Sequence, residues 1–500
     1  MTEKTYDVIV VGGGNAALCS ALSAREQGAS VLLLERAPFE ERGGNSVYTD
    51  GKMRTVYHGA EDVIALAPDL TPEEIANSDF GTYSADDFFD DMARITQNRT
   101  DPDLCEILVR NSYDSLRWLK QNGVRFMPNF GRQAYKVDGR FKFWGGAPIV
   151  TWGGGPGLVE ALYKTAEKRG VEILYDAWVR DLVHSDAGVS GVVATLAGVT
   201  QTLSARAVVL ACGGFEANTE WRTRYLGSGW DLAKVRGTKY NTGDGLAMAL
   251  RIGAQPYGHW SGCHATGWER YATDFGDQAV TAMFQRHSYT FGIVVNADGQ
   301  RFMDEGADVR SYTYAKYGRR VLEQPGQYAW QIYDSKVLHL LLDEYRTKYV
   351  TKVRADTLEE LVAKMEDVNA GACLKTIREY NAAVKQDVPF DPNVKDGKCT
   401  VGLPLPKSNW ALTLDTPPFE AYAITCGITF TFGGLRVNTE AQVMDTSHRP
   451  IPGLFAAGEM VGGIFYFNYP GASGLTSGTV FGRLSGRSAA AYANASEAAA

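Results

Sequence analysis

The densest run of chemically capable side chains lies between residues 304 and 319. Asp304-Glu305 is followed by Arg310, Tyr312, Tyr314, Lys316, Tyr317 and Arg319. Arginine is the best carboxylate clamp, because its planar guanidinium donates two parallel hydrogen bonds. A phenol or an amine can carry a proton when its surroundings tune its pKa. A solvated helix face can have the same composition, so the run by itself leaves both readings open. Arg286-His287 and His264 lie upstream. A basic, tyrosine-rich segment of this kind suits an acidic substrate better than an apolar one.

Side chains like these act only when a rigid frame holds them, and the start of the chain supplies one. Tyr6-Asp7-Val8-Ile9-Val10-Val11 is a β-branched run of the kind found in buried parallel strands. It feeds Gly12-Gly13-Gly14-Asn15-Ala16-Ala17, a helical stretch to Gln27, and the apolar strand Ser30–Glu35. Gly12 permits the tight turn, Gly14 lets the backbone approach a pyrophosphate, and Ala17 lets helix and strand pack closely. The helix N-terminus offers free N–H groups to phosphates. Glu35, about twenty residues past the glycines, can accept hydrogen bonds from an adenosine ribose. Strand, glycine turn, helix, strand, acid is a dinucleotide site, with Asn15, Ala16 and Arg36 beside it.

Distant elements choose between dinucleotides. Pro452–Glu459 reads as a late apolar strand ending in Gly458-Glu459, whose acid can reach a ribityl chain. Gly474-Leu475-Thr476 opens a further helix, whose N-terminal amides can stabilise charge on a reduced flavin ring. Val208–Phe215 is another strand ending in glycines and includes Ala211 and Gly213. The Gly43-Gly44-Asn45-Ser46 loop can pass beside the flavin diphosphate and ring. Three nucleotide-like elements spread along the chain favour FAD over NAD.

The chain has 500 residues, enough for two or more domains, with 45% hydrophobic and 22% charged residues. Its net charge of −8 argues against general nucleic-acid binding. The seven cysteines are scattered and never spaced as CxxC, which argues against disulfides, zinc or an iron–sulfur cluster. No metal is expected. The N-terminus enters a strand without a basic and apolar leader, and no run of about 18 apolar residues occurs. A cytoplasmic protein without a transmembrane segment is the expectation, with peripheral membrane contact left open.

With these residues in hand, the chain resembles the fumarate reductase/succinate dehydrogenase flavoprotein family along nearly its whole length. The likeness rests on Gly12–Ala17, Glu35, Gly43–Ser46, Gly153–Gly155, Ala211–Phe215, Gly243-Asp244-Gly245, Gly434-Leu435, Gly458-Glu459 and Gly474–Thr476. The tract Gly292-Ile293-Val294-Val295-Asn296, with Gly299, Arg301-Phe302 and Asp304-Glu305, matches it most specifically. Within the family, Gln133–Gly139, Thr429–Gly434 and Phe465–Gly471 look most like the tricarballylate dehydrogenases, which oxidise tricarballylate to cis-aconitate.

The resemblance implies an α/β Rossmann-like FAD-binding domain, split over 1–258 and 416–500, with an inserted α+β capping domain at 259–415. It adds Gly154, Gly155, Val179 and Asp244 to the cofactor site. A flavin-linked histidine is missing beside Asn45-Ser46, so the FAD is expected to be non-covalent. Haem and cluster motifs are absent, so electrons are expected to pass to a separate acceptor, a protein or a quinone.

Desaturating a carboxylic acid moves a hydride to flavin N5 and a proton to a base. The resemblance offers Arg310, Tyr314, Lys316, His264 and Tyr469 as catalytic candidates. It offers Arg286, His287, Thr429 and Gly471 as substrate-binding ones. Two departures stand out. Thr429-Phe430-Thr431-Phe432 replaces a family histidine, and Asn468-Tyr469-Pro470-Gly471 replaces a family arginine. These make plain fumarate reduction a weaker expectation than a small polycarboxylate. The Tyr-Pro-Gly also resembles that of 3-ketosteroid dehydrogenases, and a fumarate-like acid or a 3-ketosteroid is the alternative substrate.

Overall fold

The β-branched residues Val8, Ile9 and Val10 of the first strand, Thr5–Val11, are fully buried, as befits a strand covered on both faces. A computed structural model describes residues 4–498 of the chain. In it this strand lies parallel to Val31–Leu34 on one side and to Val199–Leu210 on the other. Glu172–Leu174 extends the sheet past Val31–Leu34.

The Val199–Leu210 strand changes partners along its length. Its first half pairs antiparallel with Gly188–Leu196, which in turn pairs with Ala177–Ser185. Its last residues, Val208–Leu210, pair in parallel with Leu454–Ala456 of the late strand Pro450–Ala456. Three parallel strands therefore end at one edge, at Val11-Gly12, Leu210-Ala211 and Ala456-Ala457. Ligands of open parallel sheets bind outside this edge. Chain segments more than 400 residues apart meet there.

The two helices that leave this edge pack face to face. Asn15–Glu26 lies against the long helix Ser473–Ala498. Glycines at 474, 478, 482 and 486 recur every four residues and so share one helix face. A Cβ on Gly482 would stand 2.6 Å from the Ala16 carbonyl, and one on Gly486 2.1 Å from the Ser20 carbonyl. The backbones approach where no side chain fits. Asn15 Nδ2 donates to the Leu475 carbonyl at 2.9 Å, and the Ser20 and Ser485 hydroxyls pair at 2.9 Å. This contact brings the first and last glycine motifs to one place.

A second sheet is built on the 17-residue strand Phe419–Leu435. It runs antiparallel to Pro256–Glu269, Tyr328–Tyr333 and Lys352–Ala355, and parallel to Lys234-Val235. Ile293–Val295 adds outside Tyr328–Tyr333. The sequence-derived division at 258/259 falls inside Pro256–Glu269, whose main partner begins just after the division at 415/416. The sheet is thus shared by segments assigned to both units. The chain after Thr357 forms two helices, Leu358–Lys364 and Ala370–Ala383, separated at Asp367 by a left-handed φ of 59°. Among the described residues, no helix is long and apolar enough to cross a membrane.

Candidate active site

One long cavity opens along the shared strand edge and runs toward the second sheet. Its first end is the glycine turn. Gly12 has φ +117°, and a Cβ there would lie 2.4 Å from the Ala211 carbonyl. A Cβ on Gly13 would collide with the Glu35 carboxylate at 2.1 Å. Gly14 caps the helix without any side-chain hydrogen bond, so first-turn N–H groups remain for a ligand. Asn15 N–H donates to Ser46 Oγ at 3.0 Å, which ties the Gly43–Ser46 loop to the same turn.

Glu35 is buried and accepts from the Ala37 N–H at 2.8 Å. Burial lifts its pKa, against the pull of the backbone donors around it. Arg36 reaches Asp244 and Thr242, each at 2.6 Å, and lies over the Trp178 ring at 4.5 Å. These two expected cofactor residues thus hold each other at the cavity wall, beside Val179.

Further along, Glu459 accepts from the Thr431 N–H at 2.7 Å and its hydroxyl at 3.0 Å. Asn45 is held from three sides. It receives the Thr238 N–H at 2.9 Å and donates to Glu216 and to the Thr429 carbonyl at 2.5 and 2.7 Å. Gly44, Ala211, Gly213, Gly458, Gly474 and Leu475 also line the cavity, as does Ala16. No histidine is among its lining residues.

The second end is formed by Thr429–Phe432, Phe465, Tyr469, Tyr314 and a polar group that the sequence reasoning missed. The Tyr314 and Tyr469 hydroxyls are hydrogen-bonded to each other. Burial raises both pKa values, and for Tyr314 the neighbouring phenol adds to the rise. Both are neutral phenols at neutral pH. The missed group is Asp50, Lys52, Arg236 and Gln285. Asp50 Oδ2 lies 3.1 Å from Lys52 Nζ and 3.3 Å from Arg132 Nη1, and Gln285 donates to its other oxygen at 2.8 Å. Arg132 also pairs with Glu344 at 2.8 Å. Burial opposes ionisation of Asp50, but Arg132, Lys52 and Arg236 outweigh it and hold its pKa well below the usual carboxylate range. Arg236 is 6% exposed and lies 5.8 Å from the Trp268 ring, and its buried Nε has no hydrogen-bond partner among the described residues.

Several sequence-derived candidates sit behind the wall rather than in it. Arg286 is fully buried and pairs with Glu269 at 2.8 Å, while it donates to the Met283 and Gln285 carbonyls. That pair satisfies its charge, so it braces the Gln285 loop instead of facing a ligand. Lys316 is exposed, because two residues along a helix from Tyr314 is the opposite face. Arg310 donates to the Arg132 carbonyl and does not line the cavity, although its charge reaches Lys52 and His287.

His264 is fully buried, stacked on Phe430 at 5.4 Å and edge-on to Tyr314 and Tyr469 at 5.0 and 5.1 Å. Burial, reinforced by Arg236, holds its pKa far below the usual histidine value, so it backs the tyrosines as a neutral ring. His287 pairs with the Thr266 hydroxyl beside Tyr314, and burial keeps it neutral as well. Gly471 accepts from Arg54 Nε at 2.9 Å and Thr476 donates to the Arg54 carbonyl at 2.8 Å, so both anchor the loop that carries Tyr469. Gly155 N–H donates to the Thr49 carbonyl at 3.0 Å, and Gly154 lies against Asp50. That pair sets the loop leading to Lys52.

A glycine turn at a helix N-terminus, a buried acid beyond it, a second Gly-Glu turn at the same edge and a far end of paired phenols and basic side chains together define a flavin-dependent oxidoreductase. Its residues fit a dinucleotide at the first end and a reacting ring near Asn45 and Glu459. The chain belongs to the FAD binding domain family, which matches residues 7–475. It is 30% identical over 502 residues to the fumarate reductase (cytochrome) of Shewanella frigidimarina, covering 98% of this chain and 78% of that one. It is 29% identical to the vinyl phenol reductase of Lactiplantibacillus plantarum, over 98% and 97% of the two chains. The open conformation of a flavocytochrome c3 fumarate reductase superposes with a TM-score of 0.72 at 28% identity, over 98% and 79%. The cofactor is FAD, and the protein is an FAD-dependent oxidoreductase acting on CH–CH bonds.

Proposed function

We propose that this oxidoreductase desaturates a small polycarboxylic acid, with tricarballylate to cis-aconitate as the leading candidate. One observation carries the reading. Beside the Tyr314–Tyr469 pair, the guanidinium of Arg236 and the amine of Lys52 face the cavity of an acidic protein. Arg132 and Arg310 stand behind them, and the carboxylates in the group are Asp50 and Glu344. Buried cations in excess of anions are costly unless a ligand brings the missing charge. A polycarboxylate brings it, and a steroid does not.

Bound FAD supplies the hydride acceptor. The chain's residues do the rest. Arg236 binds a carboxylate, the neutral phenols hydrogen-bond the carboxylate or enolate next to the breaking C–H bond, and the aromatic wall of Phe430, Phe432 and Phe465 excludes water. The flavin is held without a covalent bond, a reading supported by the missing histidine beside Asn45-Ser46, and electrons leave to a separate protein or quinone. The reading includes a cytoplasmic location and a split FAD domain around an inserted cap.

The phenol pair itself favours a second reading, because two neutral hydroxyls can also polarise a ketone or activated alkene, as a 3-ketosteroid or fumarate-like substrate would need. Anaerobic mixing of the yellow holoenzyme with tricarballylate, succinate and a 3-ketosteroid separates the two. Bleaching by tricarballylate is expected. An oxidised flavin with tricarballylate and a bleached one with the steroid would overturn the proposal. Release of all flavin on acid precipitation is expected, and retention in the pellet would contradict the non-covalent link.

A further inference from the structure

The polar group at the far end contains one side chain whose position suits proton transfer better than any sequence-derived candidate. Lys52 lies on the two-residue strand Lys52-Met53, just past the loop that holds Asn45. Its amino group faces the cavity, 3.1 Å from Asp50 and 5.9 Å from the centre of the Tyr314 ring. Asp50 does not belong to Lys52 alone, because Arg132 and Gln285 share its two oxygens. The lysine is therefore held in place by a carboxylate whose charge is already largely claimed.

We infer that Lys52 exchanges the substrate proton, a role that rests on the desaturase reading above. As the C–H bond beside the substrate carboxylate breaks, its proton moves to the lone pair of the neutral Lys52 Nζ. The electron pair left behind becomes the new C=C bond as a hydride departs from the neighbouring carbon, for which bound FAD would be the acceptor. Lys52 ends as the ammonium, and in the reverse direction that ammonium returns the proton.

The alternatives fit less well. Arg310 lies outside the cavity lining and is turned to the Arg132 carbonyl. Tyr314 and Tyr469 are neutral phenols whose raised pKa values suit them to donate hydrogen bonds, not to take protons. The groups whose charge bears on Lys52 are Asp50, Arg132 and Arg310, and the neutral rings of His264 and His287 lie near it. Burial lowers the Lys52 pKa, Asp50 opposes this, and Arg310 and Arg132 add to the lowering, which brings it down to about 7. An amine in that range is ready to act as a base at neutral pH.

The test uses the holoenzyme of wild type, Lys52→Gln and Lys52→Arg. Loss of Lys52 leaves Asp50 paired with Arg132 and Gln285, so both variants are expected to fold and keep FAD. The rate of anaerobic flavin bleaching is followed from about pH 6 to 9. In wild type the rate should rise through a limb near pH 7, as the amine loses its proton. Both variants should lose roughly 10²–10⁴-fold in that rate and lose the limb, with KM for tricarballylate little changed in Lys52→Arg. Asp50→Asn removes the group that raises the Lys52 pKa and should move the limb to lower pH. A Lys52→Arg enzyme with wild-type rate and limb would overturn the inference. If tricarballylate leaves wild type oxidised, the substrate reading fails, and the same profiles are taken with whichever of succinate and the 3-ketosteroid bleaches it. A wild type bleached by none of the three overturns both.

Discussion

Arg236→Gln should weaken substrate binding while leaving the free protein at least as stable. Arg236 is 6% exposed, its Nε is unpaired among the described residues, and it lines the cavity beside Tyr314. A buried charge without a full set of partners is a cost to the folded state, and glutamine keeps polarity and most of the volume without the charge. The melting temperature should therefore hold or rise. Binding should move the other way. Removing one partner of a buried, hydrogen-bonded charge pair costs about 2–4 kcal/mol, or roughly 30- to 1000-fold in affinity. The assay is a titration of oxidised holoenzyme with tricarballylate, followed by the shift in the flavin spectrum, beside a thermal melt of the same samples. Arg236→Lys should recover part of the affinity, since it restores charge without the bidentate fork. Unchanged affinity in Arg236→Gln would refute the assignment of a carboxylate to this guanidinium. Lower affinity together with a lower melting temperature would refute the claim that its charge is unsatisfied in the free protein.

Gly486→Val sets a Cβ 2.1 Å from the Ser20 carbonyl and should destabilise the protein by about 1–3 kcal/mol, read as a lower melting temperature with reduced flavin content. Glu269→Gln leaves the fully buried Arg286 without its carboxylate and should cost about 3–5 kcal/mol, whereas replacing both residues by apolar ones of similar size should cost much less; equal losses in thermal melts would contradict the claim that Glu269 is what satisfies the Arg286 charge. Lys316→Ala should leave kcat and KM unchanged, since the side chain is exposed on the far face of its helix from Tyr314, and a marked fall in kcat would contradict that placement.

The cofactor end was legible because its physics is local. A turn at Gly12, a free helix N-terminus at Asn15 and an acid at Glu35 lie within one strand–helix–strand unit, so their spacing in the chain carries their geometry. Gly458-Glu459 and Gly474–Thr476 were legible for a related reason, since each marks the point where a strand or a helix meets a turn. The proton-handling end was not local. Lys52, Arg132, Arg236 and Glu344 come from four distant segments, and their meeting depends on how the Thr49–Met53 loop lies under Gly154 and Gly155. Sequence density pointed instead to the 310–319 run, where helix geometry sends Tyr314 inward and Lys316 outward. A usable signal did exist. Asp50 and Lys52 follow the Asn45-Ser46 loop directly, and Arg236 stands just ahead of Gly243-Asp244-Gly245. A charged residue a few positions from a glycine motif that must touch the cofactor is carried into the site with that motif, whereas a charged residue in a basic helix has a solvent face available to it. Proximity in sequence to a cofactor-binding turn is therefore a stronger pointer to the reacting group than the local density of ionisable side chains.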